Sequence, residues 1–131
     1  MPLRSDNPRS RKALLATLAI AVLAATLAAD ARAHAYLDRA QPVAGSVVRE
    51  SPRELTLWFT QRVEPAFSEV RVLDAAGKQV SAGALRFDPA NGKVLRVSLP
   101  VLGAGTYHVK WRILAVDTHV SEGEFTFDVA P

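Results

Sequence analysis

The sequence predicts an all-β fold, a small antiparallel β-sandwich or barrel, on three observations. Apolar and polar residues alternate in several short segments, turn residues separate those segments, and no segment after residue 33 carries a sustained helical period with caps. From Leu55 to Thr60 the alternation puts Leu55, Leu57 and Phe59 on one face and Thr56, Trp58 and Thr60 on the other. Val70 and Val72 flank Arg71, and the turn signal Asp74-Ala75-Ala76-Gly77 leads into Lys78 to Ser81, which predicts a hairpin. A second turn reads Asp88-Pro89-Ala90-Asn91-Gly92, and alternation resumes from Val94 to Leu99. After Gly103 and Gly105, the longest strand candidate places Tyr107, Val109, Trp111 and Ile113 opposite His108, Lys110 and Arg112. Phe125, Phe127 and Val129 form a terminal strand after Gly123. Pro42, Gly45 and Pro52 interrupt the stretch before the first long strand, so residues 34–46 are expected along a sheet edge, from which His34 can reach a neighbouring loop.

The first 33 residues belong to a different kind of segment. Arg4, Arg9, Arg11 and Lys12 precede an apolar run from Ala13 to Ala29, and Ala31-Arg32-Ala33 supplies small residues at positions −3 and −1 of a cleavage site. This is the pattern of a secretory signal peptide, so residues 1–33 are expected to be a cleaved leader and 34–131 the mature domain, which would begin at His34. Ala33-His34-Ala35 also satisfies the small-x-small rule, and cleavage there would start the chain at Tyr36. An uncleaved anchor is a further reading of the apolar run, which nears the length of a bilayer-spanning helix.

Division at Ala33 changes the charge balance. Of the 16 basic and 13 acidic residues, Arg4, Arg9, Arg11, Lys12 and Arg32 and only Asp6 and Asp30 fall in the leader, which leaves eleven of each afterwards. The net charge of +3 is therefore the leader's, and it gives no support to a nucleic-acid-binding surface. Cysteine is absent, so an exported domain has to be stabilised by burial rather than by disulfides, and thiolate chemistry is excluded. No second spanning-length apolar run follows residue 33, and the mature chain is expected to be soluble in the periplasm.

Three histidines are present, and two have unusual positions. Cleavage after Ala33 would give His34 a free α-amine beside its imidazole, two nitrogens able to chelate one metal ion. In an extended segment residues two apart point the same way, so Asp117 and His119 are expected to present a carboxylate oxygen and an imidazole together. Three nitrogens and one oxygen suit a tetragonal Cu(II) site, and zinc, which prefers the same donors in a tetrahedron, competes for them. The α-amine has to lose a proton to bind, so affinity is expected to fall with acidity. His108 shares a face with Lys110 and Arg112 and reads as an ordinary strand residue.

The start His34-Ala35-Tyr36-Leu37, with Gln41-Pro42-Val43-Ala44-Gly45-Ser46 after it, resembles the opening of the CopC family of periplasmic copper-resistance proteins. Leu55 to Thr60, Leu99 to Gly105, Thr106-Tyr107-His108-Val109-Lys110-Trp111-Arg112, and Asp117-Thr118-His119 through Gly123 to Phe127 resemble that family in the same order. The resemblance implies a cupredoxin- or immunoglobulin-like Greek key and one Cu(II) ion held by His34, Asp117 and His119. It also implies a CopD-like inner-membrane partner. A thioether Cu(I) site, which some relatives carry, is not expected, because the only methionine is Met1. Two departures from the family stand out. Tyr36 replaces a histidine that relatives often have, and Gln61 replaces an acidic residue that would orient the N-terminal amine, although its carbonyl is able to accept the same bond.

The leading reading is a non-enzymatic copper carrier or buffer serving copper resistance or homeostasis. A copper oxidative enzyme of the polysaccharide-monooxygenase type is a rival, since it too uses an N-terminal histidine and a second histidine. A carboxylate in the copper plane would occupy a position that oxygen chemistry needs. A metal-free immunoglobulin-like assembly module is the third class, with Asp117 and His119 serving only the loop.

Overall fold

The computed structural model describes residues 36–131, and the expected leader lies outside them. Eight strands follow in order: β1 (Leu37–Gln41), β2 (Val47–Val48), β3 (Glu54–Phe59), β4 (Glu69–Leu73), β5 (Arg86–Asp88), β6 (Asn91–Ser98), β7 (Gly105–Leu114) and β8 (Val120–Val129). The one helical element among the described residues is a single 3-10 turn, Pro65–Phe67, opened by its own proline.

The strands form two four-stranded sheets, ordered β1-β3-β6-β5 and β2-β8-β7-β4. The chain passes from one sheet to the other at every connection except the hairpins β5–β6 and β7–β8. The architecture is therefore the expected sandwich, not a closed barrel, and one pairing departs from the expected antiparallel pattern. β2 runs parallel to β8, with Val47 beside Asp128. Gln41-Pro42 is a cis peptide bond, and the Pro42 side chain is fully buried.

The alternation read from the sequence sets the core. Leu55, Leu57 and Phe59 of β3, Leu95 and Val97 of β6, Val70 and Val72 of β4, Tyr107, Val109 and Ile113 of β7, and Phe127 and Val129 of β8 are all buried in one cluster between the sheets. Each such side chain contributes roughly 1.5–3 kcal/mol on leaving water. Tyr107 stacks on Phe127 at 5.6 Å and donates its hydroxyl to the Gly103 carbonyl at 2.7 Å, so its polar tip is satisfied at the rim of the core.

The hairpin expected at Asp74 forms, but it is short. Asp74 Oδ1 accepts the amides of Ala76 and Lys78 in the turn, and the returning segment pairs too briefly to make a full strand. Residues 78–81 return antiparallel to the end of β4 over a short length: the Asp74 amide donates to the Lys78 carbonyl at 2.9 Å, the Val80 amide donates to the Val72 carbonyl at 2.8 Å, and Leu73 bridges Gln79. The Ser81 hydroxyl accepts the Val72 amide at 3.0 Å, where a strand would have offered a carbonyl. The side chain thus ends the ladder while still covering the edge of β4.

Candidate metal centre

β7 and β8 pair without interruption from Gly105–Val129 to Leu114–Val120, so the loop between them projects from one end of the sandwich. Its closure is tight. The Ala115 amide donates to the His119 carbonyl at 2.9 Å, and the Thr118 amide donates to the Ala115 carbonyl at 2.9 Å, leaving Val116, Asp117 and Thr118 as a three-residue loop. Thr118 has a φ of 73°, in the left-handed region.

Within this loop Asp117 and His119 come together. Asp117 Oδ1 accepts the His119 backbone amide at 3.1 Å, and Asp117 Oδ2 lies 3.4 Å from His119 Nδ1. Both side chains reach solvent, His119 by 50% and Asp117 by 32%. The sequence expectation of an extended Asp-x-His is therefore corrected. The donors share a side because the chain turns at Thr118, which the alternation rule for strands does not describe.

Two further segments meet the loop. The Val116 amide donates to the Arg62 carbonyl at 3.1 Å, Val63 bridges Ala115, and the Glu64 amide donates to the Leu114 carbonyl, so the β3–β4 connection runs along the base of the loop. At the end of β3, Thr60 holds the chain leading into β1: its amide donates to the Tyr36 carbonyl at 2.9 Å and its Oγ1 accepts the Tyr36 amide at 3.0 Å. As expected, the first strand lies at a sheet edge, with β1 paired to β3 across a bulge between Leu37 and Arg39. Gln61 stands between the residue that binds Tyr36 and the residue that binds Val116.

His34 lies outside the described residues. Among the described residues no group of three or more His, Cys, Asp or Glu side chains is arranged to hold a metal ion, so Asp117 and His119 are two donors that need at least one more. His108 does not join them. It is exposed on β7 opposite Thr126, six residues before the end of that strand, which is about 20 Å along the chain.

The glycine between the Asp-x-His loop and the final aromatic strand has a packing reason that the sequence did not disclose. Gly123 pairs with Trp111, and a Cβ at Gly123 would lie 2.5 Å from Trp111 Cζ2. The indole fills that space and meets Phe59 edge to face, with ring centroids 5.4 Å apart.

A model of the CopC domain matches residues 37–130. The chain belongs to the CopC family. It is 31% identical over 121 residues to copper resistance protein C of Xanthomonas campestris pv. juglandis, an alignment covering 88% of this chain and 94% of that protein. The crystal structure of CopC from Methylosinus trichosporium OB3b matches with a TM-score of 0.71 and 37% identity, over 75% of this chain and 95% of that one. PcoC, a methionine-rich copper resistance protein from Escherichia coli, matches with a TM-score of 0.66 and 29% identity, over 73% and 98%. The β-sandwich is the architecture of these CopC structures, and the chain is a copper-related protein.

Proposed function

We propose that this CopC-family protein is a periplasmic carrier or buffer of Cu(II), holding one ion per mature chain with the α-amine and imidazole of His34, the Asp117 carboxylate and the His119 imidazole. The observation that carries the reading is the carboxylate–imidazole pair at a solvent-exposed loop beside the segment that leads back to His34. Consecutive Cα atoms are about 3.8 Å apart, so His34 sits on a two-residue arm reaching up to about 7 Å from Tyr36. Tyr36 is fixed to Thr60, and Arg62 two residues on is bonded to Val116 of the loop. Imidazole, amine and carboxylate together favour Cu(II) over most divalent ions.

Removal of the leader is part of the chemistry, because only cleavage after Ala33 frees the His34 amine. Cu(I) binding by thioethers is not assigned to this chain. PcoC is described as methionine-rich, whereas Met1 is the sole methionine here and leaves with the leader. The role assigned is binding and handing on of the metal, with a CopD-like membrane protein as the receiver or donor, and no catalysis.

Calorimetric titration of the chain beginning at His34 tests the reading. His119→Ala is expected to weaken Cu(II) binding more than about 100-fold, beyond what loss of an outer-shell partner costs. Its unfolding midpoint should barely move, since the side chain is half exposed. Wild-type affinity in His119→Ala would remove His119 from the site.

A further inference from the structure

The loop that carries Asp117 and His119 has an unexpected residue at its tightest point. In a three-residue hairpin loop the third position takes left-handed backbone, and glycine or asparagine fills it at least cost. Here that position is Thr118, a β-branched residue at φ 73°. Left-handed backbone is a true outlier for such a side chain and persists only where its surroundings over-determine it. The surroundings are on view: the Thr118 amide is tied to the Ala115 carbonyl, the Ala115 amide to the His119 carbonyl, and the His119 amide to Asp117 Oδ1.

We propose that Thr118 is a positioning residue of the copper site, acting through its left-handed backbone and not through its hydroxyl. The reversal at Thr118 aims the His119 amide back at Asp117. That bond occupies Oδ1 and turns Oδ2 towards the imidazole, 3.4 Å from Nδ1. The carboxylate is thereby divided: one oxygen fixes the loop and the other stays beside the second donor. With φ negative at residue 118, the His119 amide would point elsewhere and the two donors would separate before any metal arrived. The proposal rests on the copper reading of Asp117 and His119.

The test compares three variants of the chain beginning at His34. Thr118→Gly and Thr118→Asn accept positive φ, and both should keep Cu(II) affinity within about threefold of wild type, with an unchanged Cu(II) electron paramagnetic resonance spectrum. Thr118→Pro fixes φ near −65° and also removes the amide that donates to the Ala115 carbonyl, so the left-handed turn is lost together with its supporting bond, and it should weaken Cu(II) binding at least about tenfold and alter the spectrum. Amide exchange in the metal-free chains gives a second readout: His119 should be protected in wild type, Thr118→Asn and Thr118→Gly, and exposed in Thr118→Pro. If Thr118→Pro does not fold, the other two variants still decide. Loss of Cu(II) binding or of His119 protection in both would overturn the backbone role. A folded Thr118→Pro that binds like wild type would overturn it as well. A wild-type chain that fails to bind Cu(II) refutes the copper reading, while the exchange comparison separately judges the role of Thr118 in the loop.

Discussion

Asp117 and Glu54 are carboxylates given different work by their surroundings. Asp117 divides its oxygens between a backbone amide and an imidazole, so its substitutions are expected to separate two effects. Asp117→Asn keeps an acceptor for the His119 amide and should lower Cu(II) affinity in calorimetry with little change in unfolding free energy. Asp117→Ala should lose the affinity and in addition about 0.5–1.5 kcal/mol of stability in denaturant titration. The sequence singled out this pair through its spacing but assigned it the wrong local geometry. Threonine is a poor candidate for left-handed backbone, so nothing at position 118 signals the turn. Glu54 lies on the outer face of the other sheet, where Arg86 Nη2 approaches its Oε2 to 2.6 Å and Arg96 Nη1 its Oε1 to 3.2 Å. Burial pushes its carboxyl up, but the hydrogen bonds and charges of the two arginines outweigh this and hold it below its ordinary value of 4.5. Because the folded value is depressed, the stability from this group is full above pH 4.5 and is lost as pH falls through the lower folded value. Glu54→Gln should therefore flatten part of the acid limb of a stability-against-pH curve, and an unchanged limb would count against the cluster.

At the scale of elements, the hairpin β7–β8 joins the core to the loop that carries Asp117 and His119. Trp111 occupies the volume that a side chain at position 123 would need, and its ring also meets Phe59 edge to face. Gly123→Ala forces a methyl group against a rigid ring, and is expected to cost about 1–3 kcal/mol of unfolding free energy with a change in the near-ultraviolet tryptophan signal. Wild-type stability in that variant would mean that the indole can move freely. The strand pattern of β3, β7 and β8 was legible because each buries one face, with Leu55, Leu57, Val109, Ile113 and Phe127 at the predicted inward positions. The hairpin after β4 forms but is shorter than its sequence pattern suggests. It has the turn chemistry of a hairpin, but Ser81 completes the bonding of Val72 through its hydroxyl, a choice that alternation does not encode.

For the whole molecule, the sandwich brings three sequence-distant segments to one end: the approach to β1, the β3–β4 connection and the β7–β8 loop. Their adjacency depends on hydrogen bonds from Tyr36 to Thr60 and from Val116 to Arg62, which only the folded topology reveals. The family and the all-β class were legible from motif order and alternation, and the parallel pairing of β2 with β8 was not, because a two-residue strand has no periodicity to read. Ligand linkage gives a molecular prediction: Cu(II) at about 100 times its dissociation constant should stabilise the chain beginning at His34 by about 2.7 kcal/mol, seen as a rise in melting temperature. In the proposed copper site His34 completes the donor set of Asp117 and His119. Parallel Cu(II) titrations of chains beginning at His34 and at Tyr36 decide whether it does. The chain beginning at His34 should bind one ion tightly and the chain beginning at Tyr36 at least about 100-fold more weakly; equal affinity in the two chains would remove His34 from the site.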